Sequence, residues 1–353
     1  MDNKTLTALP GVKVGHSTAL SELTGCTMVL FNKALQVAYC SHGGGPGTFN
    51  TETLRNGKAF NLRHGLFITG GSLSGLSSAT EIMAAMIADG IGDKFGKMVN
   101  PALSGAVIFD AGISLGQYDP YHGRRAYDAL SSEVVASGNV GAGTGASIGK
   151  FYLPEDAAEG VRIAASKSGI GSARTDLGDG LVICALTAVN ALGNVINPDG
   201  TILAGNLRGA GETPEFISFE EAMRAGCHRS QIEGTATTVT IVGTNMDLGS
   251  RENYERVANL AAHGQVRAIN PVNGFADGDT VFVFSTASEK KFPYQSDPYF
   301  KNSGFAQTFA TDLVGHAAAK VVQESIYDAC RSAETVDFFE AYQGILPGLK
   351  NWS

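Results

Sequence analysis

Short apolar runs divided by glycine-rich turns dominate the pattern of this chain. Pro10-Gly11-Val12-Lys13-Val14-Gly15-His16 alternates apolar and polar positions, the period of a half-buried strand, and Thr27-Met28-Val29-Leu30-Phe31 follows as a second strand. After the loop Gly43-Gly44-Gly45-Pro46-Gly47, the run Gly65-Leu66-Phe67-Ile68-Thr69 reads as a buried strand ending at Gly70-Gly71-Ser72. The period then changes to that of a helix: Ile82, Met83, Met86 and Ile87 form one apolar stripe, and Ser78-Ala79-Thr80-Glu81 ahead of it has capping-box spacing. Ala106-Val107-Ile108-Phe109 predicts a further strand and Tyr127 to Ser137 a helix. Gly180 to Val189 predicts a buried strand that turns at Asn190-Ala191-Leu192-Gly193-Asn194.

Residues 205–235 break this rhythm. They are polar and glycine-rich around one short helix, Ser218 to Ala225, the composition of an accessible linker. Beyond them come a strand at Val239–Val242, a helix from Ser250 to Ala262, a turn at Asp277-Gly278-Asp279, a strand at Val281–Phe284 and a long helix from Gln307 to Arg331. Antiparallel-looking strand pairs with helices segregated in sequence predict a layered α+β fold rather than a regular βαβ repeat.

Composition narrows the function classes. The chain has 353 residues, 43% hydrophobic and 17% charged, enough to bury a large core. A net charge of -8 with no block of like charge argues against nucleic acid and anionic membrane surfaces as partners. The longest apolar run, Leu181 to Val189, is far too short for a bilayer, and Met1-Asp2-Asn3-Lys4 leads into no apolar segment, so a cytoplasmic protein is expected. Five cysteines (Cys26, Cys40, Cys184, Cys227 and Cys330) are widely spaced without metal-ligand spacing and read as reduced, mostly buried thiols. The seven histidines show no metal spacing either, and neither metal nor organic cofactor is expected.

Three stretches carry candidate chemistry. Gly141-Ala142-Gly143-Thr144-Gly145-Ala146-Ser147-Ile148-Gly149-Lys150 invites a phosphate-loop reading that fails, because Thr144 stands where the first glycine is needed and Phe151 where Ser or Thr must follow the lysine. A loose dinucleotide pattern there lacks a clean preceding strand and a later acidic residue. What survives is a backbone loop that carries Lys150 toward a site, or an ordinary surface lysine. Asp277-Gly278-Asp279 is either a type I′ turn between strands or a pair of carboxylates beside a buried amine. Thr237 stands in Glu233-Gly234-Thr235-Ala236-Thr237-Thr238-Val239-Thr240-Ile241-Val242-Gly243-Thr244-Asn245, small residues followed by a β-branched strand. A cut before Thr237 would make an N-terminal threonine whose hydroxyl attacks and whose own amine serves as base. Otherwise Thr237 is one of several threonines that favour a strand.

Together these pieces resemble the DmpA-type aminopeptidase and amidase family, which includes β-peptidyl aminopeptidases, a D-aminopeptidase/esterase and NylC-type nylon-oligomer hydrolases. Leu9-Pro10-Gly11-Val12-Lys13-Val14-Gly15-His16 matches its opening motif. Gly43-Gly44-Gly45-Pro46-Gly47-Thr48 followed by Glu52 and Leu54 is similar to its first glycine loop, and Gly70-Gly71-Ser72-Leu73-Ser74-Gly75-Leu76 to its Gly-Gly-Ser turn. Gly138-Asn139-Val140-Gly141-Ala142-Gly143-Thr144-Gly145 is similar to its most specific stretch. The likeness runs in order from about residue 8 to 331.

The resemblance implies an αββα sandwich of N-terminal-nucleophile type. It implies a single domain, residues 1–353, that cleaves itself between Ala236 and Thr237 into a 1–236 α chain and a 237–353 β chain. Thr237 falls at the nucleophile, Lys150 on the active-site lysine of the nylon-hydrolase branch and Asn190 on the asparagine that bonds the nucleophile or oxyanion. Asp277 and Asp279 fall on that branch's paired carboxylates, and Phe109, Gly143 and Thr144 on the substrate pocket. The implied substrate is a small peptide or amide and the implied assembly a homo-oligomer, a tetramer. Two positions depart from the family: Ala236 replaces the usual Gly or Asn before the nucleophile, and Phe109 replaces a tyrosine that points into the site. An uncut relative that binds a small molecule is the alternative.

Overall fold

The computed structural model describes residues 3–111, 113–114, 116–153, 164–208, 215–225, 236–287, 298, 306–337 and 345–351. One strand organises it. Strand β2 (Thr24–Ser41) is long enough to serve two sets of neighbours. Its first half pairs antiparallel with β1 (Val12–Ala19) and with β4 (Leu62–Thr69), and its last residues pair with β9 (Thr280–Ser285). The register shifts between Leu30 and Leu35, where Asn32 and Lys33 interrupt the apolar run. With β3 (Thr48–Phe49), β5 (Leu103–Val107), β6 (Ile170–Asp176), β7 (Val182–Asn190) and β8 (Thr237–Thr244), the strand order is β6-β7-β8-β9-β2-β4-β5-β3, with β1 also on β2.

The two halves of this sheet face each other. Val29, Phe31, Leu66 and Ile68 from one side share a buried core with Leu186, Ile241, Phe282 and Phe284 from the other. The rings of Phe31 and Phe284 lie 4.6 Å apart between centroids. Helices α1 (Ser78–Ala88) and α2 (His122–Asp128) cover one outer face through Ala79, Ile82, Met86 and Ala126 against Met28, Phe67 and Leu103. Helices α4 (Arg251–Ala268) and α5 (Ala306–Arg331) cover the other through Val257, Ala261, Val314 and Val322. The result is the expected αββα layering.

Several local expectations are corrected. Pairs β4/β5 and β8/β9 are parallel, so two crossovers, through α1 and α4, are built into a largely antiparallel sheet. The helix expected over Tyr127–Ser137 is α2, and it ends at Asp128. Beyond it, Ser131 exchanges both main-chain hydrogen bonds with Val14 and Gly138 bridges Ile170, so tertiary pairing claims the groups a helix would use. Ser78 caps nothing: Ser77 before it is already helical, and the Ser78 hydroxyl meets Tyr118 instead. A capping box does form at Ser218 and Glu221, ahead of α3 (Phe219–Arg224). The strand before Phe109 stops at Val107. Of the proposed linker, residues 209–214 and 226–235 lie outside the described residues. Its first part is not loose: Asn206 is fully buried and its side chain bonds the main chain of Phe151, Tyr152, Ala164 and Leu207.

Cys26, Cys40, Cys184 and Cys330 are free and buried, and Cys227 lies outside the described residues. Among the described residues no helix is long and apolar enough to cross a membrane, and no group of three or more His, Cys, Asp or Glu is placed to hold a metal ion.

Candidate active site

The site is built at the first residue of β8. Alternation along this strand sends Val239 and Ile241 into the core between the sheets, and Thr240 toward α4, where Gln265 Nε2 reaches its hydroxyl and the Thr238 carbonyl. By the same period Thr237 faces the space between the sheets. It lies opposite Asn190 in the antiparallel β7/β8 ladder, so the two side chains stand side by side on one face. Ala236 and Thr237 are 2% and 3% exposed, so the peptide between them is buried.

Asn190 in turn fixes Lys150. The main chain of Gly149 and Lys150 bonds Gly193 O (3.1 Å) and Leu192 O (2.8 Å), tying the loop to the turn after β7. Lys150 Nζ then donates to Asn190 Oδ1 (2.8 Å) and Asn190 O (3.1 Å). Asn190 Oδ1 also accepts from Ser147 N (3.1 Å), and Asn190 Nδ2 donates to Phe109 O (2.7 Å). With two donors on Oδ1 and an acceptor on Nδ2, the amide orientation is determined by its partners.

The two aspartates form the opposite wall. Asp277-Gly278-Asp279 is not the hairpin turn that its sequence permits. It runs alongside Ala236 as a parallel bridge and leads into β9, the parallel neighbour of β8. Asp279 Oδ1 accepts from Thr238 N (2.6 Å) and Oδ2 from Asn273 N (3.0 Å). Asp277 Oδ2 accepts from Gly274 N (2.6 Å), while its Oδ1 is buried without a partner. The glycine loop after β2 holds this wall: His42 N bonds Asp279 O (3.2 Å) and Gly45 N bonds Asp277 O (2.8 Å). A Cβ on Gly43 would fall 2.1 Å from Asp277 O, so only glycine permits the approach.

Burial sets the electrostatics. Desolvation pushes Lys150 down to about 7, against the pull of Asp277, Asp110 and Asp279. Desolvation, reinforced by Asp277, pushes Asp279 up to about 7, although the N–H groups of Thr238 and Asn273 oppose it. Asp277 is raised for the same first reason, opposed by Gly274 N–H and Lys150. Burial thus holds an amine and a carboxyl near neutrality in the two walls around Thr237.

The other sequence-based candidates separate. Phe109 enters the network by its carbonyl, and its ring is only half-buried. Gly143 and Thr144 sit in a tight turn packed on β6. Thr144 Oγ1 bonds Gly141 O (2.6 Å) and Gly143 O accepts from Lys167 Nζ (3.0 Å), and neither joins Thr237 by a hydrogen bond among the described residues. Three supporting residues escaped the sequence reading. Lys167, fully buried, spends its Nζ on the carbonyls of Gly143, Ala146 and Ser168. Asp110, buried, accepts from Thr24 Oγ1 (2.7 Å) and Gly71 N (2.7 Å). Gln265 braces the far face of β8. A charged or amide residue flanked by small or apolar neighbours was the available signal for each.

Residues 4–152 and 156–343 match the family described as Peptidase family S58. The chain belongs to peptidase family S58. It is 28% identical to an uncharacterised aminopeptidase of Mycobacterium leprae, covering 97% of this chain and 94% of that one. It is also 28% identical to one from Mycobacterium tuberculosis, covering 97% and 98%. A β-aminopeptidase of Burkholderia sp. superposes with a TM-score of 0.69 at 18% identity, covering 99% of this chain and 91% of that one. The L-aminopeptidase D-Ala-esterase/amidase of Ochrobactrum anthropi gives 0.68 at 20% identity, covering 98% and 91%. The latter is described as a prototype for the serine aminopeptidases and a variant of the Ntn hydrolase fold, and this S58 chain shares that fold.

Proposed function

We propose that this S58 member is an amide hydrolase of the aminopeptidase type that cuts itself between Ala236 and Thr237 and then uses Thr237 as its nucleophile. The observation that carries the reading is the convergence of Lys150, Asn190, Asp277 and Asp279 on the buried start of β8, where Thr237 lies. The names of its S58 relatives, aminopeptidases all, point the same way.

In the mature form the free amine of Thr237 takes the proton of its own hydroxyl, and the oxygen attacks the substrate carbonyl. The unpartnered Asp277 Oδ1 and the Asp279 carboxylate orient that amine, and Lys150 holds Asn190 for the developing oxyanion. An ester forms on Thr237, the amine leaves with the proton, and water releases the acid. No metal or cofactor enters any step. The substrate is a small peptide or amide bearing a free amine, the α (1–236) and β (237–353) chains stay together in a homo-oligomer, a tetramer, and the buried free thiols fit the cytoplasm. A second reading, an uncut chain that binds a small molecule, is favoured by the burial of the Ala236–Thr237 peptide within a regular bridge.

Incubation with aminoacyl p-nitroanilides decides between these readings. Release of nitroaniline from free-amine substrates and at least about tenfold less from their N-acetylated forms is expected, since ~1.4 kcal/mol of recognition is tenfold in rate. No release from any of them supports the binding protein.

The Asp279 shift also predicts a pH effect on stability. Its folded value is raised to about 7, above the ordinary value of 3.8. The native state therefore binds the extra proton, and the stability from that proton is present below about 3.8 and lost as pH rises through about 7. Asp279→Asn removes this loss. In a Thr237→Ala background, where both proteins are single chains, its melting temperature relative to the parent should rise between pH 5 and pH 8. A constant difference across that window contradicts the assignment.

A further inference from the structure

We infer that the main-chain N–H of Gly278 is the oxyanion donor for cleavage of the Ala236–Thr237 bond. The inference rests on the self-cleaving reading above. Gly278 N already donates to Ala236 O at 2.8 Å, and Ala236 O is the carbonyl oxygen of the bond to be cut. When Thr237 Oγ1 attacks the Ala236 carbonyl carbon, an O–C bond forms and the carbonyl electron pair moves onto that oxygen. The donor is in place before the reaction, in a site shielded from water, so it needs no reorganisation as charge develops. The C–N bond then breaks, the hydroxyl proton passes to the Thr237 nitrogen, and water hydrolyses the ester to free Ala236 as a carboxylate.

Two features suit Gly278 to this task. The first is a relay. The Asp277–Gly278 peptide accepts from Gly45 N at its carbonyl (2.8 Å) while donating through its N–H to Ala236 O. Such a chain polarises each member, so the glycine loop after β2 strengthens the donor on the scissile carbonyl. The second is room. A Cβ at position 278 would lie 2.8 Å from Thr237 Oγ1 and 3.1 Å from Gly45 O. The absent side chain leaves space for the attacking hydroxyl beside the donor. Of the neighbouring side-chain amides, Gln265 Nε2 spends both N–H groups on Thr238 O and Thr240 Oγ1, and Asn190 Nδ2 spends one on Phe109 O, which leaves its other N–H for the substrate oxyanion, whereas Gly278 N is already on Ala236 O.

The test replaces only the N–H. Gly278→glycolic acid, introduced by nonsense suppression during cell-free synthesis of the full chain, exchanges the amide N–H for an ester oxygen. After translation is stopped, loss of the uncut chain is followed by denaturing mass spectrometry, with trypsin resistance as the check on folding. Cleavage about 10²-fold slower than in the unmodified chain is expected, the usual effect of removing one oxyanion donor. A rate within about threefold of the parent, in a trypsin-resistant protein, overturns the inference. Gly45→glycolic acid keeps the donor and removes the relay; slowing of about three- to tenfold is expected, in keeping with a modest cooperative term. If the Gly278 variant does not fold, an unchanged rate in the Gly45 variant overturns the proposal. An unmodified chain that never cleaves sinks the self-cleaving reading itself, whereas cleavage of the parent and of both variants at one rate sinks this inference alone.

Discussion

Thr237→Ala leaves a single uncut chain and lowers amide hydrolysis by at least about 10⁴-fold, because deleting the nucleophile of a covalent mechanism removes every step that depends on it. The same atom serves twice: its hydroxyl opens the Ala236–Thr237 bond, and the amine so exposed becomes the base for substrate. Losing it therefore blocks maturation and turnover together. The fold should survive. Thr237 packs at the end of β8, and truncation removes one hydroxyl and one methyl from a strand held by eight registered pairs with β7. The expected cost is about 1–2 kcal/mol, measurable by denaturant unfolding. Thr237→Ser keeps the hydroxyl and should still be cut. Full amidase activity in the purified alanine variant contradicts the assignment of the nucleophile.

Lys150→Met is the second large effect. Methionine matches the lysine stem but removes the amine from Asn190 Oδ1, which keeps only its bond from Ser147 N. It also removes the cation that stabilises Asp277 and Asp279 in their charged forms. Both carboxyls should titrate higher and be protonated over more of the neutral range, so they no longer orient the Thr237 amine. Activity is expected to fall by about 10²–10³-fold, the scale of losing a preorganised charge in a dry site. The acidic limb of the pH–rate profile should move to higher pH. Lys150 is 2% exposed, so its removal leaves the buried Asn190 oxygens short of a donor and the facing carboxyls without their cation, and the melting temperature should fall. Activity within about threefold of the parent, with an unmoved profile, contradicts a role for Lys150.

What could be read from the chain, and what could not, divides along physical lines. Short apolar runs bounded by glycines located β4, β7, β8 and β9, because a strand buried on both faces needs only an unbroken apolar stretch. The length of β2 was invisible: Asn32 and Lys33 end the apolar pattern, and the strand continues past them because its second half finds another partner in β9. The helix expected over Tyr127–Ser137 failed for the complementary reason, since Val14 takes the main chain of Ser131 within it and Ile170 that of Gly138 just beyond it. Parallel pairing of β8 with β9 depends on α4 crossing over, which local periodicity does not encode. At the site, Thr237, Lys150, Asn190, Asp277 and Asp279 stood out because each is a chemically distinctive side chain in a family-like motif. Gly278 did not, because a main-chain donor leaves no side-chain signature. Asp110 and Lys167 were hidden as single charges in apolar surroundings, where only burial reveals that each holds a loop in place.

The most direct test of the central claim is the intact mass of the purified protein under denaturing conditions. Two species are expected, one ending at Ala236 and one beginning Thr237-Thr238-Val239-Thr240. A single species spanning the whole chain, unchanged on prolonged incubation, contradicts a self-cleaving threonine hydrolase, and a cut at any other bond moves the nucleophile away from Thr237.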